Sequence, residues 1–181
     1  MKDEIPTVAI TKLTPKGKVL ELAKTDCKKC THCCHFGGGF LLDDDLEKVS
    51  KFLGISKEEF KNKYAQEFEK FNTTLLRLKP ESSEKVHSSC VFLDKEEKCM
   101  LQDAKPLHCT ISSCNKHGEM LEQWFTLNFF VNPDNPESIR QWASYLKTHD
   151  VIPGGNLEEL VPDKNILKKI LNQHALKPID L

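Results

Sequence analysis

Cys27-Lys28-Lys29-Cys30-Thr31-His32-Cys33-Cys34 is the stretch on which the reading of this chain turns. It holds four of the eight cysteines in 181 residues; the others are Cys90, Cys99, Cys109 and Cys114. Three roles compete for them. An even count permits a disulfide framework, but small secreted domains need such staples because they lack a core. A chain of this length buries about 70% of its unfolded surface. Its opening Met1-Lys2-Asp3-Glu4-Ile5-Pro6 carries acids and no apolar run, so no secretory signal is expected. Free cysteines packed as small hydrophobes would scatter over apolar faces. A quartet interleaved with Lys28, Lys29, Thr31 and His32 does not.

Metal ligation accounts for the pattern. A Cys-x-x-Cys turn brings two sulfurs to one side of a tight loop, where backbone N–H groups stabilise thiolates. Two steps in a row, Cys27 to Cys30 to Cys33, aim three sulfurs inward. Several thiolates this close repel strongly unless a cation lies between them, and Lys28 and Lys29 offset only part of the charge. Soft sulfur ligands favour zinc, an iron–sulfur cluster or Cu(I) over magnesium or calcium. The side chains of adjacent Cys33 and Cys34 are expected to diverge, serving different metals or one cluster edge. Eight thiols suffice for two four-cysteine sites, or for one four-iron cluster with a second site or spare thiols. Spacing does not choose between these.

Outside the cysteines the chain is ordinary. It has 26 Lys and Arg against 27 Asp and Glu, a formal charge of −1. No global field draws it to nucleic acid or to an anionic membrane, and the scattered lysines form no stripe. The hydrophobic share of 39% lies above the disordered range. No apolar run approaches the ~18 residues of a membrane span. Phe36-Gly37-Gly38-Gly39-Phe40 lacks the spacing of either phosphate-binding glycine motif. It is expected to be a loop that lets the backbone pass close to a metal site. Arg77 and Arg140 are the only arginines, which argues against a phosphate clamp. Histidines His32, His35, His87, His108 and His117 lie near cysteines, as ligands, supporting donors or bystanders; His149 and His174 look like surface residues. A Cys109–His108 catalytic pair lacks an orienting third group.

The remaining pattern predicts helices. Val19 to Ala23 reads as a helical segment or an extended arm. Asp43, Asp44 and Asp45 cap a helix carrying Leu46, Val49, Phe52 and Leu53, which Gly54 ends. Ser56-Lys57-Glu58-Glu59 opens another helix whose apolar stripe is Phe60, Tyr64 and Phe68. Thr73 to Leu78 reads as a strand. Cys90 to Leu93 and Lys98 to Leu101 read as the arms of a hairpin turning at Asp94 to Glu97, with Cys90 and Cys99 brought together. Trp124, Phe125, Phe129 and Phe130 read as core. Asn135-Pro136 starts a helix burying Ile139, Trp142, Ala143 and Leu146. Pro162-Asp163 starts a last one with Ile166, Leu167, Ile170 and Leu171 inward. The fold class is mainly α with a small β-hairpin, a compact metal-stabilised domain with a helical C-terminal part. The expected division is an arm or helix over 1–26, a cysteine-cluster domain over 27–118 and a helical extension over 119–181.

The order Cys27-x-x-Cys30-x-x-Cys33-Cys34, Cys90-Val91-Phe92-Leu93, Cys99, Pro106 and Cys109 resembles the CxxCxxCC cysteine-cluster family of YkgJ-type, zinc- or iron-chelating domains. The resemblance runs from about residue 27 to 114, and the family's acidic helix falls on Leu41 to Leu53. Where the family commonly has Ile-Tyr, Arg-Pro and an Arg after its seventh cysteine, this chain has Met100-Leu101, Lys105-Pro106 and Thr110. A flagellin lysine methylase is related to the family, which implies that such a cluster can sit beside protein modification. No S-adenosylmethionine signature occurs here. The expected function is chelation of zinc or iron, or of an iron–sulfur cluster, by Cys27, Cys30, Cys33, Cys34, Cys90, Cys99, Cys109 and Cys114. The alternative is an iron–sulfur enzyme or redox carrier. A cytoplasmic location is expected because thiol ligands must stay reduced. The expected partners are the metal and an unidentified protein, with no nucleic acid or membrane.

Overall fold

The computed structural model describes residues 9–24, 31–82, 88–94, 96, 98–112 and 117–172, the side chain of Phe36 excepted. Cys27, Cys30, Cys114, His87 and His174 lie outside the described residues. The described elements are α1 (Lys16–Lys24), β1 (Phe40–Leu41), α2 (Asp43–Leu53), α3 (Lys57–Tyr64), β2 (Ala65–Lys70), β3 (Thr73–Leu78), α4 (Leu107–Ile111), α5 (Gly118–Phe129), α6 (Pro136–Tyr145), α7 (Leu157–Leu160) and α8 (Lys164–Asn172). Short 3₁₀ turns cover His32–Phe36 and Gln102–Ala104. The fold is mainly helical with one small sheet, ordered β1-β3-β2. No described helix is long and apolar enough to cross a membrane.

Contacts divide the chain into two units. One comprises the described residues of Pro15–Glu69 and Thr74–Glu122. Its core is Leu41, Leu46, Val49, Phe60, Leu78, Cys90, Phe92 and Leu101, all buried. The three aspartates occupy the first turn of α2. Asp45 does more than cap. It is buried, and its carboxylate accepts from the Leu42 amide at 3.1 Å and from the Leu107 amide at 2.9 Å. One side chain thus starts α2 and fastens the start of α4 to it. Gly54 ends α2 in the left-handed region, at φ 69°, as expected. Ser56 caps α3 by accepting from the Glu59 amide at 3.0 Å.

The stripe Phe60, Tyr64, Phe68 does not continue as a helix. Helix α3 stops at Tyr64 and Ala65 turns to extended backbone. From there Gln66-Glu67-Phe68-Glu69-Lys70 alternates half-buried and exposed, which is the period of a strand. Strand β2 then meets β3 through Phe71-Asn72, both at positive φ, 52° and 54°. Two successive left-handed residues form the tight turn whose twist matches antiparallel strands. A left-handed Phe costs about 1–2 kcal/mol. Burial of its ring offsets this: Phe71 lies edge-on to Trp142 at 5.2 Å. The hairpin therefore sits at residues 65–78. At the expected place, residues 90–101, the described residues form only isolated bridges, Pro80 with Cys90 and Leu93 with Cys99. The turn there still closes, with Asp94 N–H donating to the Lys98 carbonyl and Met100 N–H to the Phe92 carbonyl, each at 2.9 Å.

The second unit comprises the described residues of Met1–Thr14, Lys70–Thr73 and Gln123–Leu181. Trp124, Phe125, Phe130, Ile139 and Trp142 are buried, while Phe129 is partly covered. Asn135 caps α6 through the amides of Glu137 and Ser138, with Pro136 behind it, as expected. Trp142 donates its indole N–H to the Gly155 carbonyl at 2.8 Å. Asp163 caps α8. Leu167 and Ile170 are buried, but Ile166 and Leu171 are exposed, because α8 is covered along one narrow stripe.

Asp45→Ala removes the acceptor of two amides and should lower unfolding stability by about 2 kcal/mol. The neighbouring Asp44→Ala, whose side chain is 90% exposed, should stay within about 0.5 kcal/mol. Urea denaturation of the two variants checks this; equal losses would show that Asp45 acts only as surface charge.

Candidate metal centre

Backbone connections bring separate cysteine segments together in the first unit. Thr31, left-handed at φ 59°, starts the 3₁₀ turn that carries Cys33 and Cys34. The Cys34 carbonyl accepts from the Cys90 amide at 2.7 Å, tying this turn to the start of the 90–101 segment. That segment folds back to place Cys99, and α4 supplies Cys109. All five described cysteines line a single cavity of about 540 Å³. Cys33 is exposed, Cys34, Cys99 and Cys109 are partly covered, and Cys90 is buried.

The glycines make this approach possible. Leu78 donates its amide to the Gly39 carbonyl at 3.0 Å, seating the glycine run against β3. A β-carbon on Gly38 would run into Leu78, and one on Gly39 would run into the Cys109 sulfur and lie 3.1 Å from His108 Nδ1. The expected close passage of the backbone is what these two residues perform. Gly37 has a different reason, a φ of 103°.

Cys33 and Cys34 line the same cavity, and so does Cys99. The hydrogen bonds to Cys33 and Cys99 raise the Cys34 pKa far above the ordinary thiol value. The hydrogen bond from Cys34 depresses Cys33 and Cys99 well below it, with the Lys105 charge adding to the effect. Burial pushes Cys90 up to about 11 and Cys109 up to about 12. Backbone amides partly counter this, Phe92 donating to Cys90 and Gly39 to Cys109, while Leu101 donates to Cys99.

His108 packs edge-on to Phe40 at 4.7 Å and pairs with Glu122 at 3.1 Å through Nε2, with Ser112 Oγ 3.3 Å from Nδ1. The orienting carboxylate that seemed absent is therefore Glu122. Sequence spacing did not reveal it, because the partner lies on a different helix. His35 Nδ1 lies 3.4 Å from Ser89 Oγ, and His32 is exposed. His149 stacks on Tyr145 at 4.0 Å.

Among the described residues no three His, Cys, Asp or Glu side chains form an ion-holding group by themselves. The donor set nevertheless suits a soft cation. It consists of sulfurs from three chain segments, amides already directed at them, and a glycine cradle that leaves the Cys109 sulfur room.

A protein-family model matches residues 26–127; the family is CxxCxxCC, described as a "putative zinc- or iron-chelating domain". The match continues past Cys114 into α5, further than the sequence resemblance reached, and takes in Glu122. No solved structure matches the chain.

Two predictions follow from this geometry. In metal-free protein at neutral pH, iodoacetamide should modify Cys33 before Cys90 and Cys109. Cys90 and Cys109 should react slowly, their rates still climbing well into the alkaline range, because a raised pKa moves the thiolate to higher pH. Peptide mass spectrometry reads the order, and equal rates at the three sites would refute it. Gly39→Ala should cut bound metal by at least about half, whereas Gly17→Ala, with open space around it, should leave metal content unchanged. Elemental analysis of both variants decides.

Proposed function

This chain belongs to the CxxCxxCC family, and on that premise we propose that it holds zinc or iron through thiolates of Cys27, Cys30, Cys33, Cys34, Cys90, Cys99, Cys109 and Cys114. The observation that carries the reading is the convergence of Cys33, Cys34, Cys90, Cys99 and Cys109 on one cavity from three separate segments. A bound cation supplies the positive charge that lets neighbouring thiolates coexist. The chain's own residues prepare for it. Lys105 and the Leu101 amide favour the thiolate of Cys99, and the Phe92 amide does the same for Cys90. The apolar neighbours Phe92 and Leu101 limit access of water to the sulfurs. Thiols used in this way must stay reduced, so the cytoplasm is the compartment proposed.

The test is anaerobic purification followed by metal and acid-labile sulfide analysis. Zinc or iron should copurify in fixed ratio to protein, and Cys99→Ser should lose most of it. A colourless, metal-free, folded protein with eight titratable thiols would overturn the proposal. Visible absorption with labile sulfide would identify the bound species as an iron–sulfur cluster.

A further inference from the structure

The cavity beside the sulfurs has the volume of a small-molecule site, about 540 Å³, whereas a metal ion needs only the space between its ligands. Part of its lining comes from the sheet. Phe40 of β1 stands directly opposite Arg77 of β3, so the two share a face. On that face the Arg77 guanidinium lies over the Phe68 ring at 4.7 Å, and Phe68 touches Phe40 at 5.4 Å. With its side-chain oxygen turned to Arg77, Gln66 accepts from both Nε and Nη2 at 2.9 Å. The guanidinium is therefore held in place by a neutral amide and an aromatic ring.

Arg77 shares the lining with Lys105, His108, Glu119 and Glu122. Glu122 pairs with His108. Lys105 adds a second positive charge to the lining, on the side of the cysteines. Glu119 is exposed. Arg77 is half-buried, and no described carboxylate pairs with it. With the Nε–Nη2 edge taken by Gln66, the Nη1–Nη2 end of the fixed guanidinium is the fork of N–H donors left to match a carboxylate. Phe40, Leu78, Phe92 and Leu101 supply apolar surface in the same cavity.

We propose that this cavity is a binding site for a small organic carboxylate, its acid group held by Arg77 and its carbon skeleton lying on the apolar walls. The site extends the function beyond metal holding and does not depend on which metal the thiols take. It places an organic ligand next to the cysteines, where sequence motifs alone mark only the sulfurs.

Hexanoate and its uncharged counterpart hexanamide serve as probes, titrated into the full-length protein as purified, at low salt. Hexanoate should shift the Arg77 Nη–H signals in a ¹⁵N–¹H spectrum, and hexanamide should not. Calorimetry should show Arg77→Gln binding hexanoate at least about tenfold more weakly. Gln66→Met, which frees the guanidinium without removing it, should weaken binding by a smaller factor and covers the case of an unstable Arg77→Gln. Equal binding of the two probes, undiminished binding to Arg77→Gln, or an unmoved Arg77 signal at saturating hexanoate would each overturn the proposal. Elemental analysis of the same sample keeps the two ideas apart. Hexanoate binding to a preparation that is metal-free after anaerobic purification would sink the chelation reading and leave this one standing.

Discussion

Mutual repulsion of thiolates governs the first unit. Cys34, Cys90, Cys99 and Cys109 pack against the same apolar cluster that holds Leu46, Val49, Phe60 and Phe92. Sulfur tolerates that setting as a neutral thiol but not as an isolated anion. The thiols show the conflict directly: Cys34 is raised beside Cys33 and Cys99, and burial raises Cys90 and Cys109. A soft cation resolves the same conflict by replacing the thiol protons. Chelation as proposed here would exchange one way of neutralising crowded sulfur for another, and the apolar surroundings strengthen the demand for either.

That demand explains why so little regular structure surrounds the sulfurs. Between β3 and α4 the described chain has two isolated bridges and one 3₁₀ turn. Its backbone is held by local bonds such as Leu93 to Cys90 and by the Cys90–Cys34 link. Such a segment gains few ladder hydrogen bonds to offset its ordering entropy. On the proposed function, ligation by residues spread along it would contribute the missing free energy, as in domains whose metal binding is part of folding. Asp45 anchors the far end by holding the Leu107 amide, so α4 is set in place through α2 independently of the sulfurs.

Local chemistry made much of the fold legible. Caps act over three or four residues, so Ser56, Asn135, Asp163 and Gly54 could be assigned from their immediate neighbours. The glycine run was legible for a similar reason, since a residue without a side chain beside a cysteine cluster implies close approach. The hairpin was not. Phe60, Tyr64 and Phe68 fit a helical period, while Gln66, Phe68 and Lys70 equally fit a strand. What decides is the turn at Phe71-Asn72, whose backbone Phe adopts only because its ring has Trp142 to pack on. No sequence window contains that contact.

The site divides along the same line. Sulfur positions announce themselves by spacing, because several ligands lie within one turn of each other. The groups that turn a sulfur cluster into a shaped cavity come from elsewhere: Glu122 reaches His108 from α5, and Gln66 and Phe68 hold Arg77 from a neighbouring strand. Neither partnership has a sequence signature, yet both fix a polar side chain in one orientation, at an entropic cost that solvent-exposed freedom would avoid. Orientation of this kind matters little to a metal held wholly by thiolates. It matters to whatever else occupies the cavity, and that is the physical reason to regard the thiol cluster as one wall of a larger site rather than as the whole of it.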